Sequence, residues 1–309
     1  MSVRPVHTSF PAAHAVVAAW LIAVQVLLTA SVGAMVCGMG NAAVPEPLSV
    51  VPSGPMPIEN DYATLALAAA EDTAATIDGF DLDAAVLDLT TGVLASDLTA
   101  SAPMYAASLA KLVVAVDVID RRRDEGLVVG DEDLELIRRA LGPSDDAAMN
   151  ELWTRFDGQG AAARVSPRLG LTATAAPTDP SYWGQMTITA ADLTTLYRHV
   201  LMMPEADRDL IIGAIAAAPA VATDGFAQDF GLLAPRSVGT AVAKQGWMCC
   251  DDQTSYLHSA GLVGDDGRFV VVLLSRQQFV DDWQPERERL TTVAGAVHEV
   301  LDPAASIAD

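Results

Sequence analysis

The sequence from Tyr105 to Arg123 reads YAASLAKLVVAVDVIDRRR. Its apolar residues recur at spacings of three and four, which is typical of a helix with one buried face. These apolar residues are Leu109, Leu112, Val113, Val116 and Ile119. Ser108 suits the cap or the first turn of such a helix. Because residues three apart share a helix face, the Ser108 hydroxyl and the Lys111 amine are expected to be neighbours.

Two further short motifs stand out. One of them contains a lysine, and the chain has only two lysines beside sixteen arginines. Lys111 lies in the stretch above, and Lys244 begins the motif Lys-Gln-Gly at 244–246, at the end of a predicted strand. The motif Ser-Asp-Asp at 144–146 directly follows a Gly-Pro break between two predicted helices. The candidate catalytic residues are therefore a serine–lysine pair, a serine between two helices and a lysine at the end of a strand.

The periodicity of the whole chain predicts a helix, two strands, a block of helices, three strands and a final helix. The predicted helices are 61–77, the helix that begins at Ser108, 131–141, 146–156, 189–203, 208–217 and 286–301, and the predicted strands are 84–89, 93–98, 237–247, 254–263 and 268–275. Residues 158–186 contain three prolines and are predicted to be rich in loops. This order predicts a sheet built from both ends of the chain, with a helical insertion between them.

The three motifs, in this order and in these structural contexts, resemble those of the class A serine β-lactamases and the related penicillin-binding proteins. The marks of that family are Ser-x-x-Lys, Ser-Asp-Asn and Lys-Thr-Gly. The resemblance covers about residues 60–302. It implies an α/β fold of the α+β type, with a five-stranded antiparallel sheet flanked by the terminal helices and an all-helical subdomain. The β-lactamase-like domain would cover residues 61–305, with its sheet part at 61–104 and 235–305 and its helical part at 105–234.

The resemblance also implies roles for the motif residues. Ser108 would attack an amide or ester carbonyl and form an acyl-enzyme, with Lys111 as its general base. Ser144 would relay a proton to the leaving group, and Lys244 would hold a substrate carboxylate and assist that relay. The backbone N–H groups of Ser108 and Trp247 would form the oxyanion hole. The implied substrate-binding residues are Asp146, Gln245, Gly246 and Trp247.

The base role places a physical demand on Lys111. A free lysine has a pKa of about 10.4, so a lysine that accepts protons near pH 7 must have a strongly lowered pKa. Burial and the nearby cation Lys244 would both lower it, whereas a carboxylate at Asp146 would raise it.

The chain departs from the family pattern in four places. Asp146 replaces the asparagine of the second motif, which removes an amide donor, and Gln245 replaces the threonine of the third. Residues 170–178 hold no carboxylate, although class A enzymes carry a loop glutamate that activates the deacylating water. Only 32 residues separate Lys111 from Ser144, fewer than is usual in the family, so one wall of the cleft is expected to be missing or open. Hydrolysis of a β-lactam acyl-enzyme is therefore expected to be slow.

These residues also have purely structural interpretations. The two serines could be cap or turn residues, and the two lysines could lie on the surface. The aspartates at 145–146 could simply be favourable charges at a helix N-terminus. Tyr182 and Trp183 could line a substrate groove, but a loop anchored into the core is the preferred interpretation.

The N-terminal segment is apolar. Residues 15–36 carry no charged side chain and are long enough to span a bilayer as a helix. Arg4 precedes them and acidic residues follow, so the body of the chain is expected outside the cytoplasm. Residues 1–40 are predicted to be a retained single-pass signal anchor, or else a signal peptide whose cleavage gives a secreted protein, and residues 41–60 a proline-rich linker. The Ala-Met-Val sequence before Cys37 matches a lipoprotein processing site poorly.

The remaining composition excludes several classes of partner. The net charge of −22 argues against a nucleic-acid partner or an anionic lipid surface. The five histidines show no metal-ligand spacing, so no metal or cofactor is expected. A disulfide between neighbours is strained, so Cys249 and Cys250 are expected to be thiols, or one of them to bridge elsewhere. Self-association is left open.

Three functions are compatible with the sequence. The leading hypothesis is a membrane-tethered SxxK serine hydrolase of the cell envelope. It would form an acyl-enzyme with a small-molecule or peptidoglycan-like peptide, amide or ester substrate, and would turn over β-lactams weakly or not at all. The alternative is a catalytically silent β-lactamase-like binding or scaffold domain, which Asp146, Gln245 and the short segment before Ser144 favour. An efficient β-lactamase is a third interpretation.

Overall fold

A computed structural model of the chain describes residues 61–96, 102–235, 240–251, 253–264, 266–279 and 282–301. The predicted anchor at 1–40 and the predicted linker at 41–60 lie outside the described residues, so both stay predictions, as do the predicted domain limits. Within the described part of the chain, no helix is both long enough and apolar enough to cross a bilayer.

Both ends of the described chain contribute strands to one sheet. The strands are, in chain order, β1 (Phe80–Asp88), β2 (Leu94–Ser96), β3 (Met104–Tyr105), β4 (Thr187–Ile188), β5 (Ala241–Asp251), β6 (Thr254–Val263) and β7 (Phe269–Gln278). Five of them form an antiparallel sheet in the order β2-β1-β7-β6-β5, while β3 and β4 pair separately. The predicted five-stranded antiparallel sheet is therefore confirmed. The edge strand β5 carries the Lys-Gln-Gly motif.

The terminal helices cover one face of this sheet. The helices are α1 (Tyr62–Ala74), α2 (Ala110–Asp124), α3 (Asp131–Leu141), α4 (Asp146–Arg155), α5 (Ala161–Leu169), α6 (Ala190–Met202), α7 (Glu205–Ala216) and α8 (Trp283–Leu301). Asp61 caps α1 by accepting the N–H of Thr64. Small side chains of α1, such as Ala66 and Ala70, let it pack closely against α8 and the sheet. The flanking terminal helices agree with the predicted fold class.

The other face of the sheet is covered by the helical part, with α2 at its centre. Every residue from Ala110 to Asp120 is buried. The periodicity predicted a helix with one buried face, whereas this part of α2 is enclosed on all sides. The polar side of α2 can be buried because its carboxylates are paired: Asp117 with Arg164 and Asp120 with Arg168. These arginines lie on α5, far along the sequence, and periodicity within α2 does not reveal them.

The segment 158–186 contains more regular structure than its prolines predicted. Helix α5 lies within it and includes Pro167 near its C-terminal end. A proline there costs one helical hydrogen bond, but the helix buries Ala162 and Val165 against α2. Gly170, with a φ of 73°, ends the helix in the left-handed conformation that glycine adopts most readily.

The two neighbouring cysteines lie with their sulfur atoms next to each other, so neither sulfur bridges to a distant part of the described chain, and the expected thiol state stays a prediction. They lie at the exposed end of β5, where the pairing with β6 becomes irregular after Met248. Regular strand geometry would point Cys249 and Cys250 to opposite faces, and the irregularity removes that constraint.

Candidate active site

Ser108 lies in a single 3-10 turn, Ala107–Leu109, directly before α2. The turn is held in place because the N–H of Ala106 donates to the carbonyl of Met186 at 2.7 Å. Ala107 has a φ of 47°, a conformation that non-glycine residues rarely adopt and that clusters at functional sites. The serine is thus held in a defined position, and 5% of its surface is exposed.

Lys111 lies one turn further on, and the predicted proximity of serine and lysine is observed. Its Nζ is 3.0 Å from Ser108 Oγ, 3.0 Å from Ser144 Oγ and 2.6 Å from the Ser144 carbonyl oxygen. A fourth oxygen, Oδ1 of Asp146, is also 2.6 Å away. An ammonium has three N–H donors, so these four oxygens compete for them. The lysine therefore contacts residues of both the first and the second motif.

Burial and charge act on Lys111 in opposite directions. The side chain is fully buried, and the loss of hydration lowers its pKa. The carboxylate of Asp146 is the strongest influence that raises the pKa, but the net direction remains downward. Burial therefore shifts the lysine towards its proton-accepting form, although less than it would with a neutral residue at 146.

The second motif places its three residues by one local turn. Ser144 has a φ of 55°, which turns the chain sharply between α3 and α4. Asp145 then caps α4 by accepting the N–H groups of Ala147 and Ala148, and its other oxygen binds Arg139. Asp145 is therefore a carboxylate at a helix N-terminus, as its structural interpretation proposed, and it also caps that helix. Asp146 begins α4 and lies against Lys111.

Lys244 approaches the same serine from the edge of the sheet. Its Nζ donates to Ser144 Oγ and to the carbonyl of Gln245, each at 2.8 Å. The side chain is 1% exposed, and burial together with the charge of Lys111 holds its pKa well below the ordinary value. Ser144 Oγ thus lies between two buried lysines, which suits a proton relay.

The other residues of the third motif have different positions. Gly246 faces the nucleophile turn, because a Cβ there would lie 3.3 Å from the Ala106 carbonyl oxygen. Gln245 is 1% exposed, and its amide donates to the carbonyls of Gln228 and Phe230. The structure therefore places Gln245 behind the strand and not in the cleft, since neighbouring residues of a strand point to opposite faces. Its predicted role in substrate binding has no support in this geometry.

A cavity of about 250 Å³ gives access to Ser108. The described residues that line it are Ala107, Ser108, Asp146, Ser181, Tyr182, Trp183, Gly184, Gln185, Trp247 and Met248. Asp146 and Trp247 thus lie where the sequence placed substrate-binding residues, while Lys111, Ser144 and Lys244 lie beneath this lining. Tyr182 and Trp183 line the cavity, although an anchored loop was the preferred interpretation. That loop is in fact anchored as well, because Trp183 Nε1 donates to Asn150 Oδ1 at 2.8 Å.

Two aromatic rings separate the buried lysines from the cavity. The Trp183 ring centroid is 5.0 Å from Lys111 Nζ, and the Trp247 centroid is 5.7 Å from Lys244 Nζ. Trp247 is fixed by Asp224, which accepts its indole N–H at 3.0 Å. It also stacks on Phe226. Asp224 and Asn150 were not among the predicted site residues, and no local pattern singles them out, because both act through contacts with residues distant in sequence.

The sequence has curated relatives but matches no model of a known protein family. Two of these relatives are proteins named "Putative lipoprotein LppW", one from Mycobacterium bovis and one from Mycobacterium tuberculosis. The chain is 32% identical to each over 213 residues, which is 67% of this chain and 67% of the relative.

Solved structures of serine β-lactamases and of a penicillin-binding protein are similar to this chain. A β-lactamase from Chitinophaga pinensis is 14% identical, with a TM-score of 0.61 over 78% of this chain and 99% of that one. A β-lactamase from Xanthomonas campestris is 18% identical, with a TM-score of 0.61 over 76% and 97%. A mutant of PBP-A in an acyl-enzyme complex with penicillin G is 17% identical, with a TM-score of 0.60 over 77% and 96%. The resemblance stated from the sequence motifs is thereby confirmed for the fold.

Proposed function

We propose that this chain, which belongs to the family of the mycobacterial proteins named "Putative lipoprotein LppW" and has the fold of the serine β-lactamases and penicillin-binding proteins, is a serine hydrolase that forms an acyl-enzyme through Ser108. The observation that carries the proposal is the position of Lys111 Nζ, 3.0 Å from both Ser108 Oγ and Ser144 Oγ. The base is within hydrogen-bonding distance of both the nucleophile and the relay, and the nucleophile lines a cavity.

The geometry suggests an order of proton transfers. Neutral Lys111 would accept the proton of Ser108 Oγ while Oγ attacks a carbonyl carbon, and this gives a tetrahedral intermediate. Ser144 would then pass a proton from Lys111 to the leaving group, and Lys244 would stabilise the Ser144 oxygen during this transfer. The predicted oxyanion hole of the Ser108 and Trp247 N–H groups belongs to this proposal.

Deacylation is proposed to be slow with β-lactams. Asp146 is the single carboxylate among the described residues that line the cavity, and it is already bound to Lys111. In the segment 170–178, where the family carries its glutamate, the chain has no carboxylate. The backbone N–H groups of Thr172 and Ala173 instead donate to Asp192, which ties the segment to α6. An acyl group on Ser108 would therefore lack a dedicated base for its hydrolysis.

We further propose that the protein acts in the cell envelope on peptide, amide or ester substrates of the cell-wall type. The name of the relatives supports an envelope location, and the apolar residues 15–36 would provide the tether. Lipidation at Cys37 would be an alternative tether. Mass spectrometry of the mature N-terminus distinguishes a retained segment, a cleaved one and a lipid-modified cysteine.

The test uses intact-protein mass spectrometry of the full-length chain after incubation with a fluorophosphonate or a fluorescent penicillin. We expect a single adduct on the parent protein and none on Ser108→Ala. A matched control is Ser181→Ala, because Ser181 also lines the cavity but donates its hydroxyl to Asp179 and has no lysine partner. Loss of the adduct in both variants, or no adduct on the folded parent with either reagent, would contradict the proposal.

A catalytically silent binding domain is the second candidate. The ion pair between Lys111 and Asp146 and the 5% exposure of Ser108 favour it, because both hinder acylation. This candidate expects peptidoglycan fragments to raise the melting temperature of the parent and of Ser108→Ala equally, without any covalent adduct. Turnover that vanishes in Ser108→Ala would exclude it.

A further inference from the structure

The cavity does not offer a cation to a substrate carboxylate. Lys244, which the family resemblance assigns to that task, is 1% exposed and donates to Ser144 Oγ and to the Gln245 carbonyl. The ring of Trp247, and not the lysine, lines the cavity. No lysine or arginine is present among the described lining residues.

The charge that the cavity does present is negative. The Asp146 side chain is 60% exposed and is part of the lining. Asp224 adds a second carboxylate next to Trp247, and it is close enough to raise the pKa of both lysines. Burial lowers the pKa of both lysines, and this disfavours the two cations that would compensate the two carboxylates.

The contact with Asp146 and the role of the base require different protonation states of Lys111. Oδ1 of Asp146 holds Lys111 Nζ at 2.6 Å, which favours the ammonium form. General-base catalysis needs the neutral amine. When Lys111 is in that form, the carboxylate of Asp146 no longer has a cation as its partner. A second cation that binds Asp146 would restore the balance of charge and would free Lys111 to accept the proton of Ser108.

We propose, on the basis of the acyl-enzyme function above, that the cleft selects acyl donors that carry an ammonium group a few bonds from the reacting carbonyl. Asp146 binds that group and thereby releases Lys111 to act as the base. Ser108 Oγ and Asp146 Oδ1 are both hydrogen-bonded to Lys111 Nζ, so the two oxygens are close to each other. A substrate whose carbonyl carbon meets Ser108 can therefore reach Asp146 with an ammonium group only a few bonds away. The aromatic rings of Tyr182 and Trp183 in the lining also favour a cation over an anion. Anionic β-lactams would then be poor substrates because of their charge as well as the slow deacylation.

The experiment compares three p-nitrophenyl esters of equal length that end in a trimethylammonium, a tert-butyl or a carboxylate group. The first two have nearly the same shape and differ in charge. The rate of p-nitrophenol release by the full-length protein is measured, with the rate of Ser108→Ala subtracted. We expect the ammonium ester to acylate about two- to fivefold faster than its neutral isostere, as for a contact with a half-exposed charge, and the carboxylate ester to be slowest.

Two variants locate the effect. In Asp146→Asn the ammonium preference should vanish, while in Asp179→Asn it should persist. Asp179 is an exposed carboxylate close to the cavity wall that does not line the cavity, so it controls for the overall negative charge. Equal rates for the ammonium and neutral esters, a preference for the carboxylate, or a preference that survives in Asp146→Asn would overturn the inference alone. Failure of the neutral ester and of the fluorophosphonate would instead overturn the proposed function, and the inference with it.

Discussion

At the scale of single residues, two neighbours set the protonation of Lys111. Asp146 holds the ammonium form through a 2.6 Å contact, whereas Trp183 covers the same nitrogen with its ring. Burial is the largest influence on the pKa of Lys111, and it lowers the pKa. The balance between an exposed carboxylate and a covering ring therefore decides whether Ser108 has a base near neutral pH.

Removal of the covering ring tests this balance. In Trp183→Ala, water reaches Lys111, and its pKa should rise towards that of a free lysine. The lost cation–π contact, worth about 2 kcal/mol at a desolvated site, acts in the opposite sense, but burial is the largest influence on the pKa of Lys111. The rise of the fluorophosphonate labelling rate with pH should move to higher pH, whereas in Asp146→Asn it should move to lower pH.

The measurement is the labelling rate as a function of pH, with Trp183→Phe as the control that keeps most of the ring. A profile of Trp183→Ala that coincides with that of the parent, or that moves to lower pH, would contradict the prediction. Circular dichroism of each variant separates this effect from loss of the fold.

The spacing of residues predicted part of the site and not the rest. Ser108 and Lys111 are neighbours because they are one helical turn apart, a relation that holds before any tertiary contact forms. The position of Gln245 behind β5 could also have been predicted, because it directly follows Lys244 in a strand. The covering of both lysines by tryptophan rings could not, because the loop of Trp183 and the strand of Trp247 meet only in the folded chain.

At the scale of elements, Gln245 fastens the edge strand to the segment that precedes it. Its amide donates to the buried carbonyls of Gln228 and Phe230 at 3.0 and 2.6 Å. The segment 226–233 also carries Phe226, on which Trp247 stacks. This contact therefore helps to position one wall of the cavity, although the side chain itself is remote from it.

Gln245→Ala should destabilise the protein by about 1–3 kcal/mol, because two buried carbonyls lose their donor. Urea denaturation measures the change. The matched control is Gln159→Ala, which removes a hydrogen bond from the side-chain amide to the Pro177 carbonyl at a half-buried site. Its loss of unfolding free energy should be smaller, about 0.5–1 kcal/mol. Equal losses for the two variants, or no loss for Gln245→Ala, would show that the tie is unimportant.

Elements with strong periodicity and clear capping signals were predicted best. α6 begins after Thr189, whose hydroxyl oxygen accepts the N–H of Asp192, and this start agrees with the predicted helix 189–203. β6 was predicted with its observed limits because an apolar run ends at the Gly-rich turn before β7. α5 was missed because Pro167 weighs against a helix locally, while burial against α2 decides in its favour.

At the scale of the whole molecule, the site lies where the two halves of the architecture meet. The sheet supplies Lys244 from its edge strand, and the helical part supplies Ser108, Lys111 and Ser144. One buried histidine on β6 connects these halves. His258 donates from Nε2 to the Tyr105 carbonyl at 2.8 Å, just before the nucleophile turn, and Nδ1 accepts the N–H of Ser275 at 3.2 Å.

We expect this arrangement to make the stability of the domain depend on pH. His258 is fully buried, and burial lowers its pKa from 6.5 to about 4. Between these values the unfolded chain binds a proton that the folded chain rejects, because protonated Nδ1 could no longer accept the N–H of Ser275. The stabilisation is therefore complete above pH 6.5 and is lost as the pH falls towards 4. The total loss is about 3 kcal/mol, of which about 2 kcal/mol is reached at pH 5.

Urea denaturation of the parent and of His258→Gln at pH 7.5, 6.5, 5.5 and 5.0 tests this dependence. Glutamine can keep one donor and one acceptor but does not titrate, so the variant should be less stable at pH 7.5 and less sensitive to acid. The difference in unfolding free energy between the two proteins should shrink by about 2 kcal/mol between pH 7.5 and 5.0. Parallel curves would mean that His258 does not carry the acid sensitivity. If the variant does not fold, NMR titration of the His258 ring in the parent gives the same answer, and a pKa near 6.5 would contradict the prediction.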